Sequence, residues 1–513
     1  MNYSQFLNMI PEATLVALLL IVFCADFALH KDENKLSKLW AMTVGALLVQ
    51  TCLLVGLQEP AEAFGGLYVT TPMVNVMKII LTAGTLIVVI MSRTWLEAKS
   101  QISNLKSQTY PGEFFMLVLS TLLGMYMMMS SGSFLMFFLG LEMASVPLAC
   151  MVAFDKLKKD SAEAAAKYIL VATFSSGVML FGISFIYAAT GSLYYDNVAA
   201  QLSTLNSQLS TLSILGLVFF FSGLGFKLSL VPFHFWTADT YQGAPTPVTG
   251  YLSVISKGAA ALTLCIILTK VFGSMVDYWN PMLWIVIMLS ITIANLFAIR
   301  QKELKRFMAF SSISQAGYIM LAVIGADAQA GATALTFYVL VYIVANMAVF
   351  TVISAVEHAP FSVNSSEFSD NSKVSQPSTL NSQLTQMSAY NGLYQTNPKL
   401  ALLMTLALFS LAGIPPFAGM FSKFFVFLAA VNGHTMYPFW PYFVVLVALV
   451  NTVVSLYYYL LIVKAMYIKQ EANPLPVFAT DSATKISLVI CTAGICLFGI
   501  ASCIYEWIAA AAL

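Results

Sequence analysis

The sequence predicts an all-α membrane protein of about fourteen transmembrane helices, and three observations lead there. Of its 513 residues, 59% are hydrophobic and only 9% charged, against about 25% charged in an average soluble domain. Apolar runs of roughly 20 residues recur along the whole chain, each long enough to cross a bilayer as a helix. These runs are continuous rather than alternating, which excludes a transmembrane β-barrel. A net charge of +1 gives no sign of a nucleic-acid partner.

In chain order the spans fall at 11–30, 37–57, 72–94, 112–130, 133–154, 161–190, 211–240, 246–272, 281–299, 303–325, 331–356, 398–431, 438–468 and 484–511. The first follows no basic n-region and ends on charges rather than a small-residue cleavage site, so it reads as a span and not a removed signal. Basic residues fix an orientation. The odd-numbered loops carry Lys31, Lys35, Lys38; Arg93, Lys99, Lys106; Lys156, Lys158, Lys159; Arg300, Lys302, Lys305, Arg306; Lys373, Lys399; and Lys469, Lys485, whereas the even-numbered loops carry Lys270. This bias places the odd loops in the cytoplasm and both termini on the outer, periplasmic side. Two stretches depart from the pattern: 197–210 and 358–397 are rich in Ser, Asn and Gln and share the heptapeptide STLNSQL at Ser203–Leu209 and Ser378–Leu384. Both read as disordered, dispensable loop insertions. The seven cysteines form no C-x-x-C pair and stand beside no histidine, which argues against metal, iron–sulfur and disulfide sites in this chain.

Charges inside the spans carry the functional argument, because an ionisable group in the hydrocarbon centre costs a few kcal/mol or more and needs a reason to be there. Lys227 lies in LGFKLSLVPFHFW, five residues before Pro232. The proline lacks an N–H, so it frees the carbonyl of Leu228, and freed backbone must face protein or water. In LAGIPPFAGMFSKFF, Pro415 and Pro416 break span twelve ahead of Lys423. Broken helices five apart in order predict two five-helix repeats, inverted because an odd number of crossings reverses topology. The expected division is helices one to three at 1–110, one repeat at about 112–275, a second at about 280–470 and a last helix at 484–511. Lys257 lies about 16 Å into span eight and Glu142 roughly 13 Å into span five at 1.5 Å per residue. Burial favours the neutral form of a lysine and a nearby carboxylate the charged form, so a lysine held between the two can take and release a proton. A static ion pair of Glu142 with Lys227 or Lys257 is the alternative. Lys167, spaced i, i+4 from Glu163, reads equally as a helix-start ion pair. His234 is a candidate relay or a hydrogen-bonded core histidine. Ser311, Ser312, Ser314 and Gln315 either hold water or serve packing. Lys78 is expected to snorkel to the outer interface, and Asp239 to be exposed.

GLEMASVPL, AAAKYIL, GFKLSLVPFHFWTADTYQGAPTPVTGYLSVISKGAA, KRFMAFSSISQAGY and LAGIPPFAGMFSKFF together resemble the antiporter-type membrane subunits of respiratory complex I, over nearly all the chain beyond residue 70. The resemblance implies proton translocation through Glu142, Lys167, Lys227, Lys257 and Lys423. It makes Glu142 the partner of Lys227, Lys257 the central connecting lysine and Lys423 the lysine of the output half-channel, and it lifts Lys167 above a helix-start pair. Lysine at the span-twelve position favours the N or L branch over the M branch. The chain ends at 513 without the long lateral helix of the L branch, which leaves the subunit N branch of bacterial NADH–quinone oxidoreductase. It further implies antiporter-like partners M and L, small partners K, J and A, and the bacterial inner (plasma) membrane. NADH, FMN, iron–sulfur clusters and quinone would lie in partner subunits, with no cofactor or metal in this chain. Gln315 stands where many relatives have histidine, so a titrating side chain is lost there and a water-holding role is kept. The alternative implied is a subunit of a Mrp-type sodium/proton antiporter.

Overall fold

A computed structural model describes residues 3–101, 110–156, 158–204, 211–359, 384–432, 439–469 and 475–512. The chain begins with α1 (Ile10–Ala28) and α2 (Lys35–Gly56). A hairpin of β1 (Ala61–Ala63) and β2 (Tyr68–Thr70) follows, paired antiparallel with Glu62 opposite Val69. Next come α3 (Pro72–Gln101), α4 (Pro111–Met129), α5 (Phe134–Val152), α6 (Lys159–Thr190), α7 (Tyr195–Thr204), α8 (Thr211–Leu228) and α9 (Phe235–Gly243). The remaining helices are α10 (Thr246–Ile266), α11 (Val276–Ile299), α12 (Leu304–Leu321), α13 (Ala328–Glu357), the single turn α14 (Leu393–Thr396), α15 (Pro398–Ala412), α16 (Ala418–Val431), α17 (Phe439–Tyr467), α18 (Ser482–Ile500) and α19 (Ser502–Ala512).

Among the described residues, twelve helices are long and apolar enough to cross a membrane. The two remaining expected spans also have helical counterparts. Span ten is α12, whose Ser311, Ser312, Ser314 and Gln315 dilute its hydropathy although nearly every residue is buried. Span twelve is the pair α15 and α16, each too short to cross by itself. Burial sorts the bundle into layers. The apolar windows of α3, α10 and α13 are 89%, 89% and 94% buried, whereas those of α1, α2, α6 and α17 are 22–33% buried. Helices of the second kind turn side chains such as Leu170, Phe174, Val453 and Tyr457 outward, which suits a lipid environment. The protein is a multi-pass, all-α membrane protein.

Several expectations are corrected. Residues 197–204 are not loop but part of α7, whose Val198 and Leu202 are buried at helical spacing; a polar composition masked a short amphipathic helix. The end of the 358–397 stretch is also ordered. Leu304 N–H donates to the Thr385 carbonyl, Met387 N–H to the Lys302 carbonyl, and Tyr390 is fully buried. Residues 360–383 and 205–210, and with them most of both STLNSQL copies, lie outside the described residues. The last span is bent: α18 ends at Ile500 and α19 restarts after Ala501. Gly499 there lies against the turn between α15 and α16, where a Cβ would come 2.8 Å from the Pro416 carbonyl oxygen. Lys78 does not snorkel. It is 0% exposed and forms an ion pair of 2.7 Å with Glu12 of α1. The sequence offered no sign that α1, two spans earlier, would bring a carboxylate to it.

Candidate functional site

Two helix breaks organise the interior. Between α8 and α9 the chain turns at Ser229, a non-glycine residue at φ 61. The turn is closed by Leu230 N–H donating to the Gly225 carbonyl and by Trp236 Nε1–H donating to the Phe226 carbonyl. Val231 N–H, which no longer fits a helical ladder, donates to Ser290 Oγ of α11 at 2.9 Å. The N–H released by the break is therefore taken up by protein, as a bilayer demands. Between α15 and α16, Gly413 at φ 87 ends the first half, and Gly413 and Ile414 N–H donate back to Phe409 O. The two halves touch at Gly419, where any Cβ would lie 1.7 Å from the Ser410 carbonyl oxygen. Glycine is required at that contact.

Each break holds a buried lysine. Lys227, in the last turn of α8, donates to Ser145 Oγ of α5 at 2.8 Å. The expected Glu142–Lys227 ion pair is not formed. Glu142 sits one turn before Ser145, close enough for its charge to act on the ammonium, but its Oε1 is buried without a hydrogen-bond partner. The hydroxyl of Ser145 stands between them in sequence and takes the contact. Lys423 donates to the Ala412 carbonyl at 2.9 Å, at the carbonyl end of α15, where the helix dipole favours a cation. Its stem passes over Gly413, where a Cβ would lie 3.0 Å from Lys423 Cδ. The Tyr318 ring covers the ammonium at 4.9 Å.

Lys257 lies between the two, on α10, which is buried from Thr246 to Cys265. It donates to Ser312 Oγ of α12 at 2.8 Å and stands 5.6 Å from the Tyr241 ring centre. On the Lys227 side, His234 at the start of α9 and Thr237 and Thr240 within it present Nδ1, Oγ1 and Oγ1, all buried without partners and spaced three apart. On the Lys423 side, Ser312 gives way to Gln315. This residue accepts from the Tyr338 hydroxyl and donates to Leu411 O at 3.3 Å and to Tyr459 OH at 3.4 Å. A small cavity lined by Gln315, Tyr338, Tyr342, Ser410, Ser422 and Lys423 joins the glutamine to the lysine. Buried polar atoms without protein partners are where proteins hold ordered water.

Not every expected site residue joins this axis. Lys167 faces outward on α6, 44% exposed, and pairs with Glu163 at 2.8 Å and with Asp239 at 2.7 Å. Arg306 reaches the same Asp239 at 2.6 Å. The result is a peripheral cluster on the wall of the bundle, and Asp239 is half-buried and paired rather than free. Residues that the sequence reading missed include Tyr241, Tyr338, Tyr342, Asn346 and Tyr459. One signal was available: Tyr338, Tyr342 and Asn346 recur at i, i+4 along an otherwise apolar helix. No group of three or more His, Cys, Asp or Glu suited to a metal occurs among the described residues.

Two proline-broken helices around a file of buried lysines define an antiporter-type ion-translocating membrane subunit. The family profile described as "NADH:quinone oxidoreductase/Mrp antiporter, TM" matches residues 131–455. NADH-quinone oxidoreductase subunit N of Phocaeicola vulgatus is 52% identical over 99% of this chain and 98% of its own length. A chain of respiratory complex I from Thermus thermophilus superposes with a TM-score of 0.72 at 28% identity, covering 96% of this chain and 97% of that one. A chain of the Mrp complex from a Dietzia species shares the fold, with a TM-score of 0.76 at 19% identity over 100% and 97% of the two chains. The chain belongs to this family, in the subunit N group of the NADH-quinone oxidoreductases.

Proposed function

We propose that this chain is the proton-translocating membrane subunit of an NADH–quinone oxidoreductase. Electron transfer from NADH to quinone takes place in partner subunits and drives protonation changes along Lys227, Lys257 and Lys423. The observation that carries the reading is the partner set of these lysines: each buried ammonium donates to a neutral oxygen. A hydroxyl such as Ser145 or Ser312 accepts from an ammonium and donates to an amine, so it serves both protonation states. Glu142 acts on Lys227 at short range as the controlling charge. Lys167, tied to Asp239 and Arg306, lies off the lysine file and acts as a peripheral control of the α6–α9 contact, and His234 with the α9 threonines holds water between Lys227 and Lys257.

The resemblance between the two breaks supports inverted repeats at about 112–275 and 280–470. The asymmetry of lysine and arginine among the loops supports a bacterial inner membrane setting with both termini periplasmic. Partners are the antiporter-like subunits M and L and the small subunits K, J and A; NADH, FMN, iron–sulfur clusters and quinone belong to partner chains. A Mrp-type sodium/proton antiporter subunit is the second reading, and the Dietzia likeness favours it at the level of fold. The identity to subunit N over almost the full length favours the first. In the assembled complex, Lys227→Ala and Glu142→Ala are each expected to lower proton translocation and coupled NADH–quinone turnover together. Full pumping with normal assembly in both variants would overturn the assignment.

A further inference from the structure

One buried carboxylate lies outside the axis described so far. Glu357, the last residue of α13, is 8% exposed. Its Oε2 accepts from Thr246 Oγ1, in the first turn of α10, at 2.5 Å, and Lys305 Nζ stands 4.0 Å from its Oε1. Lys305 itself donates to the Ala244 carbonyl at 2.8 Å, so the ammonium is shared and Glu357 keeps acceptor capacity. Lys158, His358 and Asp155 surround this end of the bundle. It is the end rich in basic loops, which the orientation above makes cytoplasmic.

Polar groups lead inward from Glu357 along one face of α13. Ser354 and Thr351 precede it at steps of three, and Ser354 Oγ is buried without a partner. Further in, Asn346 Nδ2 donates to Ser253 Oγ of α10, and Asn346 Oδ1 is again buried and unpartnered. Ser253 O accepts from Ser312 Oγ, which in turn accepts from Lys257. Thr246 and Ser253 are about 10.5 Å apart along α10. The interval is closed by methionines: a Cβ on Gly250 would lie 3.2 Å from Met347 Sδ and 3.5 Å from Met91 Cε. Unbranched thioether side chains repack easily, and Gly250 adds no bulk of its own.

We propose that Glu357 is the cytoplasmic proton-uptake carboxylate for Lys257, with Met91 and Met347 over Gly250 as the closure between them. Resting on the function proposed above, the step is a plain proton transfer. The Glu357 carboxylate takes a proton from cytoplasmic water. That proton passes over water held along the Ser354 and Thr351 face, past Asn346 and Ser253, to the Ser312 hydroxyl, which hands a proton to the neutral Lys257 amine, and Glu357 returns to carboxylate. A static role, in which Glu357 only ties the end of α13 to the start of α10, needs a hydrogen-bond acceptor but no titrating group, and the two roles separate experimentally.

The test uses the whole complex in proteoliposomes, with assembly checked by co-purification. Glu357→Gln keeps the acceptor for Thr246 and loses the titrating group. It is expected to lower protons moved per NADH at least fivefold, with most of the loss recovered in Glu357→Asp and part of it by millimolar formate added to the glutamine variant. Wild-type pumping in Glu357→Gln, or a loss that neither aspartate nor formate relieves, would overturn the proposal. Should Glu357→Gln not assemble, Ser354→Val, which blocks the face without touching a charge, is expected to slow pumping severalfold, and normal pumping there overturns it equally. Lys257→Met separates the layers. If that variant pumps normally, the underlying function is wrong; if it is blocked while Glu357→Gln is not, only the uptake role falls.

Discussion

Lys78 and Lys257 are buried almost identically, at 0% and 1% exposure, yet they sit in opposite chemistry. Lys78 in α3 meets Glu12 of α1 at 2.7 Å and the Tyr68 hydroxyl at 3.4 Å, with the Tyr68 and Tyr126 rings at 5.5 and 5.4 Å. Loss of its proton would strand a buried carboxylate. Lys257 meets a serine hydroxyl and a ring, and either of its protonation states is satisfied there. Burial alone therefore does not separate the two lysines; their partners do. The region of α1–α3 ties helices with a charge pair, whereas the lysines of α8, α10 and α16 donate to neutral oxygens, the arrangement on which the proposed proton path rests.

The largest effect that would break this comparison is at Lys78. Removing one member of a buried pair costs about 3–5 kcal/mol because the other charge is left unpaired. Lys78→Met is thus expected to abolish assembly, measured by co-purification, and adding Glu12→Gln to restore it. Next, Lys227→Ala, Lys257→Met and Lys423→Met are expected to assemble and to lose proton translocation by about a hundredfold, the low side of what positioned proton-transfer groups contribute. Gly413→Ala follows: a Cβ at φ 87 beside the Lys423 stem costs about 1–3 kcal/mol, seen as a lowered Tm in detergent and reduced pumping. Ser145→Ala comes next at about 1.5 kcal/mol, the low end for a hydrogen bond to a charged group, seen as a drop in coupled turnover. Smallest is Gln315→His, which restores a titrating group between Lys257 and Lys423 and is expected to keep pumping, whereas Gln315→Leu lowers it.

Much of the fold was legible because membrane spans are written in continuous stretches. The break before Pro232 and the one at Pro415–Pro416 were visible for the same local reason, a missing N–H. What the sequence hid was partnership across distant helices. Nothing in the order of residues brings Glu12 to Lys78 or places Ser145 rather than Glu142 against Lys227. Lys167 illustrates the limit from the other side: its pair with Glu163 follows from the i, i+4 spacing, but its outward direction depends on how α6 packs beside α9. The α7 helix was hidden by serine, asparagine and glutamine, whose side chains mark loops only when no apolar stripe runs among them. The tyrosines and Asn346 of α13 stand in an otherwise apolar span, where nothing in the residue order says that Tyr338 meets Gln315 or that Asn346 meets Ser253.

The most direct measurement sets the two lysines side by side in the reconstituted complex. Proton translocation per NADH oxidised is measured for the Lys78→Met/Glu12→Gln double variant and for Lys257→Met, both at normal assembly. The account predicts near wild-type pumping in the double variant and its loss in Lys257→Met. Equal pumping in the two, or loss in the double variant with Lys257→Met intact, would contradict it.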